Sequence, residues 1–350
     1  MCSSIKNIAI KGLSVCVPKQ IEKTMDYDWI TIEERTSFEK NTGVKERRVA
    51  NKNITTADMC EKSALELIKK LNWEKESIDI LIFVSQSPDY FLPATSAILQ
   101  HKLGLRNNII AFDINLGCSG YVYGLHVLSS LMAGGLKRGL LLAGDKSTLS
   151  TNYKDKSTYP LFGDAGSATA LEFDVNVIPM CFNLFTDGSG YKSIIIEDGG
   201  ARNHISSASF VEEKHAEGIE RAPKHLTLDG IEIFNFALKE VVPSIKQLLQ
   251  FSEIDESLID YYVFHQANKL INESVRKKAR VDISKVPYSI EKFGNTSSAS
   301  IPLTMLYQLK NELEDKELML LLSGFGVGYS WGNCILQTKK ITCTDILEIE

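Results

Sequence analysis

Glu76-Ser77-Ile78-Asp79-Ile80-Leu81-Ile82-Phe83, closing on Ser85-Gln86, is written a second time as Glu256-Ser257-Leu258-Ile259-Asp260-Tyr261-Tyr262-Val263-Phe264, closing on His265-Gln266. Each copy is a short run of branched and aromatic residues, the pattern of a buried strand. Each follows an amphipathic helix, Ala57 to Leu71 before the first and Ile233 to Leu249 before the second. The echo continues downstream. Gly117-Cys118, an apolar helix and the strand Gly139 to Ala143 parallel Gly294-Asn295, the apolar helix Ile301 to Leu309 and the strand Leu318 to Leu322. An offset of about 180 residues marks a duplicated plan rather than a short solenoid period. The expected architecture is α/β, with an N-terminal half 1–174 and a C-terminal half 175–350 facing each other.

Facing halves would bring Cys118 against His265 and Asn295. Cys118 lies in Asn115-Leu116-Gly117-Cys118-Ser119-Gly120, between an apolar strand, Ile109 to Ile114, and an apolar helix, Ser119 to Met132. The first turn of a helix has unpaired N–H groups and a positive dipole end, which is expected to favour thiolate over thiol. The Cys118 N–H can itself face a developing oxyanion. His265 follows a strand, where chemistry collects in open α/β sheets. Asn295 opens a second strand-to-helix corner, Phe293-Gly294-Asn295-Thr296-Ser297-Ser298-Ala299-Ser300. Singly, the cysteine reads equally as a core thiol, while such a histidine is more often structural and such an Asn-Thr-Ser run more often a helix cap. Together they supply one nucleophile and two N–H donors, the inventory of acyl transfer.

With these residues in place, the chain resembles the 3-oxoacyl-acyl-carrier-protein synthase III family of the thiolase superfamily. The resemblance runs from Ile8-Ala9-Ile10-Lys11-Gly12 and Asn41-Thr42-Gly43-Val44-Lys45-Glu46-Arg47 through the Cys118 motif and Phe162-Gly163-Asp164. It continues at His265-Gln266-Ala267-Asn268, Gly294-Asn295-Thr296-Ser297 and Gly324-Phe325-Gly326-Val327-Gly328-Tyr329-Ser330-Trp331-Gly332. It implies a thiolase-like fold of mixed sheets layered between helices. It also implies that Cys118 is the acylated nucleophile, with His265 and Asn295 stabilising the enolate of a decarboxylating malonyl thioester. Val327 falls where the second oxyanion-hole N–H is supplied, beside the Cys118 amide. Substrate contacts are implied at Leu92, Asn268 and Gly326, the loop Phe91-Leu92-Pro93 resembling one contributed to the other subunit's pocket. Lys269, Lys277, Lys278 and Arg280 resemble a docking face for an acidic carrier protein.

Departures bear on the donor. The family usually places a tryptophan and an arginine before the Thr42-Gly43 segment and another arginine after Gly144-Asp145, clamping coenzyme A. Here those positions read Ser37, Asn41 and Leu149, and the asparagine and lysine expected after Gly230 are Ile231 and Asn235. Each lost stacking or cationic contact would remove about 1 to 3 kcal/mol from nucleotide binding. The donor is therefore expected to be an acyl carrier protein, or a coenzyme A thioester held by other residues, with malonyl-acyl carrier protein as the second substrate. The alternatives are an acyltransferase passing the acyl group from Cys118 to oxygen or nitrogen, and a non-catalytic partner subunit.

Composition sets the frame. A chain of 350 residues with 44% hydrophobic and 24% charged content can bury one large core or two fused halves. A net charge of -5 and a pI near 5.8 argue against nucleic acid as partner. Seven irregularly spaced cysteines show neither a metal-ligand pattern nor a disulfide framework. No metal and no cofactor are expected, and no apolar run is long enough to span a membrane. The expected setting is the cytoplasm, as a homodimer. Asp198 to Lys224, rich in polar residues, reads as an insertion on the surface, and Asp345 to Glu350 as a frayed acidic end.

Overall fold

The computed structural model describes all 350 residues and is built on two sheets. In the first, the strand order is Thr342–Cys343, Ile8–Pro18, Asp164–Phe173, Arg138–Lys146, Ile80–Val84, Ile110–Ile114, with Leu347–Ile349 also pairing along Ile8–Pro18. In the second it is Cys2–Ile5, Met180–Thr186, Ser330–Lys339, Glu317–Gly326, Tyr261–Phe264. The duplication is visible strand by strand. Ile80–Val84 runs parallel to Arg138–Lys146, which is antiparallel to Asp164–Phe173. Tyr261–Phe264 runs parallel to Glu317–Gly326, which is antiparallel to Ser330–Lys339.

Helices Gly120–Met132 and Ser300–Asp315 fill the space between the sheets, each packing on strands of both. Thr56–Leu71 covers the outer face of the first sheet and Val242–Ser252 that of the second. Two helix-on-sheet halves back to back give five layers. The middle layer explains its own sequence. A helix contacted on two sides needs apolar residues on both, so Leu125, Leu128 and Met132 are buried, as are Leu303, Leu306 and Leu309. The strands Ile80–Val84 and Arg138–Lys146 are likewise covered on both faces and read as continuous apolar runs.

One expectation changes at the surface. Leu347–Ile349 is a strand paired with Cys16–Pro18, and Glu348 forms an ion pair with Arg48 at 2.7 Å. The acidic end is therefore tied down rather than frayed, because Ile8–Pro18 offers it a backbone edge. The 198–224 segment holds a 3-10 turn, Ser207–Phe210, and a hairpin, Glu213–Ala216 with Ile219–Arg221. Lys154 reaches Glu212 and Glu220, which fastens this hairpin to the first half.

Candidate active site

Cys118 sits just ahead of the buried helix, with Ser119 as its N-cap residue. The Gly-Phe-Gly end of Glu317–Gly326 lies against it. A Cβ at Gly326 would stand 2.5 Å from Cys118 Cβ and 2.8 Å from Sγ, so only glycine lets the second sheet approach the thiol.

His265 leaves the end of Tyr261–Phe264. Its N–H donates to the Ser323 carbonyl at 2.8 Å, and its carbonyl accepts from Asn272 Nδ2 at 3.0 Å. Ser300 Oγ lies 2.7 Å from Nδ1. When that hydroxyl donates to Nδ1, the ring proton sits on Nε2. Burial pushes the imidazole pKa down to about 3, against a smaller opposing effect of the Ser297 backbone, so the ring is neutral.

Asn295 is held by its backbone to the first half. Its N–H donates to Leu161 O at 2.9 Å and its carbonyl accepts from Gly163 N–H at 3.0 Å. Ser297 N–H donates to Oδ1 at 2.9 Å, which fixes the amide orientation and leaves Nδ2 as the donor. A Cβ at Gly163 would fall 2.0 Å from the Phe293 carbonyl, so the Phe162-Gly163-Asp164 motif is the seat of this corner.

One cavity of about 420 Å³ is lined by Cys118, His265, Asn295, Val327, Gly326 and Asn268. The predicted catalytic and oxyanion residues are thus brought together. Asn268 has a second task, capping helix Lys269–Ala279 by accepting from Ile271 N–H at 2.8 Å. A strand pair, Ile194–Ile196 with Leu226–Leu228, contributes an apolar wall. Leu92 does not line this cavity. It is 87% exposed beside Phe91 at 90%.

Burial works against the thiolate that the helix start favours. Burial, and next the negative charge of Asp145, push the Cys118 thiol up to about 11. The Val327 N–H, the Ser297 hydroxyl and the Cys118 N–H pull the other way and are outweighed. Cys118 is buried, and desolvation outweighs the facing donors, which favours thiol over thiolate there.

The residues at the departures stand off the cavity. Asn41 Nδ2 donates to Ser37 Oγ at 3.3 Å along helix Ile32–Thr42, Leu149 is 70% exposed and Ile231 is 74% exposed. Trp29 packs on Tyr153, ring centroids 5.2 Å apart, and is likewise not a lining residue. Of the basic cluster, Lys269, Lys277, Lys278 and Arg280 are exposed. Lys278 Nζ donates to Leu238 O at 2.8 Å, while Arg276 is occupied by Glu273. No three His, Cys, Asp or Glu side chains are grouped so as to hold a metal ion, and no helix is long and apolar enough to cross a membrane.

Sequence reasoning missed Asp145, Ser297 and Ser300. Asp145 entered only as a landmark after Gly144, and the serines only as part of a small polar run opening a helix.

Comparison with known proteins agrees with this geometry. Residues 112–188 match the family 3-oxoacyl-[acyl-carrier-protein] synthase III, and residues 249–338 match its C-terminal part. A putative 3-oxoacyl-[acyl-carrier-protein] synthase 3 of Campylobacter jejuni is 34% identical over 344 residues, 97% of this chain and 94% of that protein. A beta-ketoacyl-[acyl-carrier-protein] synthase III of Streptococcus agalactiae is 33% identical over 331 residues, 94% of this chain and 98% of the relative. The crystal structure of a 3-oxoacyl-(acyl-carrier protein) synthase from Burkholderia xenovorans superimposes with a TM-score of 0.94 at 36% identity, covering 100% of this chain and 99% of that one.

Proposed function

This chain belongs to the 3-oxoacyl-[acyl-carrier-protein] synthase III family, and from that premise we propose that it acylates Cys118 and condenses the acyl group with a malonyl thioester. In the first half-reaction the Cys118 sulfur attacks the donor's thioester carbonyl. The oxyanion is met by the Cys118 and Val327 N–H groups, and the donor thiolate leaves with the proton that Cys118 gives up. In the second, the bond from the malonyl α-carbon to its carboxylate breaks and carbon dioxide departs. The electron pair becomes an enolate whose oxygen accepts from His265 Nε2–H and Asn295 Nδ2. The enolate carbon attacks the acyl carbonyl, the Cys118 sulfur leaves and is reprotonated, and a 3-oxoacyl thioester results.

What supports this reading is the convergence of Cys118, His265, Asn295 and Val327 on one cavity. A histidine held neutral with a pKa near 3 donates well but is a poor base. Transfer to an oxygen or nitrogen acceptor would need that base, and is disfavoured. The donor is read as an acyl carrier protein: Lys146 is the only cation lining the cavity, and its Nζ is taken by the Asn51 and Ile54 carbonyls at 2.6 and 2.8 Å. A homodimer in the cytoplasm completes the proposal, the exposed Phe91 and Leu92 and the edge strand Ile110–Ile114 being what a second copy would cover.

The test is the intact mass of the protein after incubation with a panel of acyl-carrier and acyl-coenzyme A donors, followed by carbon dioxide release from malonyl-carrier protein. A mass gain on Cys118 and release of carbon dioxide are expected. Acylation followed by transfer to an alcohol or amine, with no carbon dioxide from any malonyl donor, would overturn it.

A further inference from the structure

Cys118 and Val327 both line the cavity, and neither N–H donates to a backbone carbonyl. Val327 opens the turn between the strands Glu317–Gly326 and Ser330–Lys339, whose last ladder pair is Gly326 with Ser330. The far side of that turn is held by backbone: Tyr329 N–H donates to the Asp187 carbonyl at 2.8 Å, and the Tyr329 carbonyl accepts from Asp187 N–H at 3.0 Å. The near side is held by side chains. Ser330 Oγ lies 2.8 Å from the Val327 carbonyl and 2.6 Å from Ser119 Oγ. A carbonyl only accepts and a hydroxyl has one proton, so Ser330 donates to Val327 and Ser119 donates to Ser330. Both serines are buried. Ser119 stands at the N-cap of helix Gly120–Met132, yet its side chain caps nothing, so the usual reason for a serine there does not apply. The two segments also meet where side chains are missing. A Cβ at Gly324 would lie 3.0 Å from Ser119 Cα, and one at Gly326 2.5 Å from Cys118 Cβ.

We infer that Ser330 and Ser119 are positioning residues which, acting in series, tie the Val327 turn to the Cys118 corner and set the spacing of the two N–H groups that receive the oxyanion. The inference rests on the proposed acyl transfer to Cys118 and deepens it by naming what holds the second donor. Gly326 is fixed in the ladder on one side of Val327 and the Val327 carbonyl is fixed by Ser330 on the other, so the N–H between them has little room to swing. Oxyanion donors work because they are already in place when charge develops, and a donor that must first be ordered loses part of that advantage.

The experiment is single-turnover acylation of Cys118 by an acyl-carrier protein, read by intact mass, beside carbon dioxide release from malonyl-carrier protein supplied alone. Ser330→Ala should lower the limiting acylation rate about tenfold, short of the roughly hundredfold that outright loss of an oxyanion donor costs, with the half-saturating donor concentration unchanged. Carbon dioxide release, assigned to His265 and Asn295, should keep its wild-type rate. Ser119→Ala should slow acylation less, because Ser330 keeps its bond to Val327. Added to Ser330→Ala it should change nothing further, since the two act in series. A brace that merely stiffened the strand would behave differently: His265 N–H donates to the Ser323 carbonyl on that same strand, so loosening it would slow both half-reactions. Equal losses in both, or full acylation in Ser330→Ala, would overturn the inference. If Ser330→Ala does not fold, Ser119→Ala decides by the same pair of rates. A wild type that is neither acylated nor releases carbon dioxide sinks the proposed function and this inference with it, whereas an active wild type with indifferent variants sinks the inference alone.

Discussion

At Cys118 two physical effects oppose each other, and their balance decides how the thiol behaves. The helix start and the facing amides favour thiolate, but burial and Asp145 push the thiol up to about 11. Below that value the thiolate fraction grows about tenfold per pH unit, so alkylation of Cys118 should keep rising from pH 7 to about pH 10 rather than level off near pH 9. A plateau at neutral pH would contradict this. Cys2 is the one cysteine not buried, so it should label alongside Cys118, whereas Cys16, Cys60, Cys334 and Cys343 should stay unmodified. Cys118→Ala should abolish acylation at a cost of about 1 kcal/mol in stability, since one sulfur at a corner of small residues leaves little void. In the proposed reaction His265 and Asn295 act later. Their alanine variants should lose carbon dioxide release while keeping much of the acylation, with both measured on the same samples. Because the His265 imidazole is already neutral down to about pH 3, decarboxylation in the wild type should show no histidine ionisation between pH 5 and 8. A bell-shaped profile with a limb near pH 6.5 that disappears in His265→Ala would show that the ring titrates after all.

At the scale of elements, the approach of the strand Glu317–Gly326 to the helix Gly120–Met132 sets the site. Gly326→Ala would drive a methyl group into Cys118, a clash costing about 1 to 3 kcal/mol in stability. It should lower the Cys118 acylation rate far more than it lowers the melting temperature, and equal losses in both would mean that the strand end simply retreats. The helix Lys269–Ala279 carries the surface proposed for the carrier protein. Lys278 also serves the Leu238 carbonyl, so Lys277→Glu is the cleaner change. It should weaken acylation from a carrier protein mainly through association, in the way added salt does, and leave the coenzyme A thioester reaction nearly unaffected. Acylation rates for both donors at low and high ionic strength separate these outcomes.

In the whole molecule the two halves share strands: Cys2–Ile5 lies in the second sheet, while Thr342–Cys343 and Leu347–Ile349 lie in the first. We propose 1–174 and 175–350 as units of duplication but not of folding. A fragment 1–174 should fail to unfold cooperatively in denaturant, having lost the strands that flank Ile8–Pro18 and the helix Ser300–Asp315 that covers it. Deleting residues 345–350 should lower the melting temperature through the loss of Leu347–Ile349 and the Arg48–Glu348 pair. The sequence by itself determined the repeated strand and helix order and the residue types at the two corners, because hydrophobic period, glycine and helix-start signals are local and survive in one dimension. The resemblance carried by those corners supplied their roles. Only the tertiary structure decided the burial of Cys118, the two-sided anchoring of Asp145 and the pairing of the last strand. Desolvation and long-range hydrogen bonds depend on which segments fold over a group, and residues 145 and 298, or 16 and 347, are neighbours only once the sheets have closed.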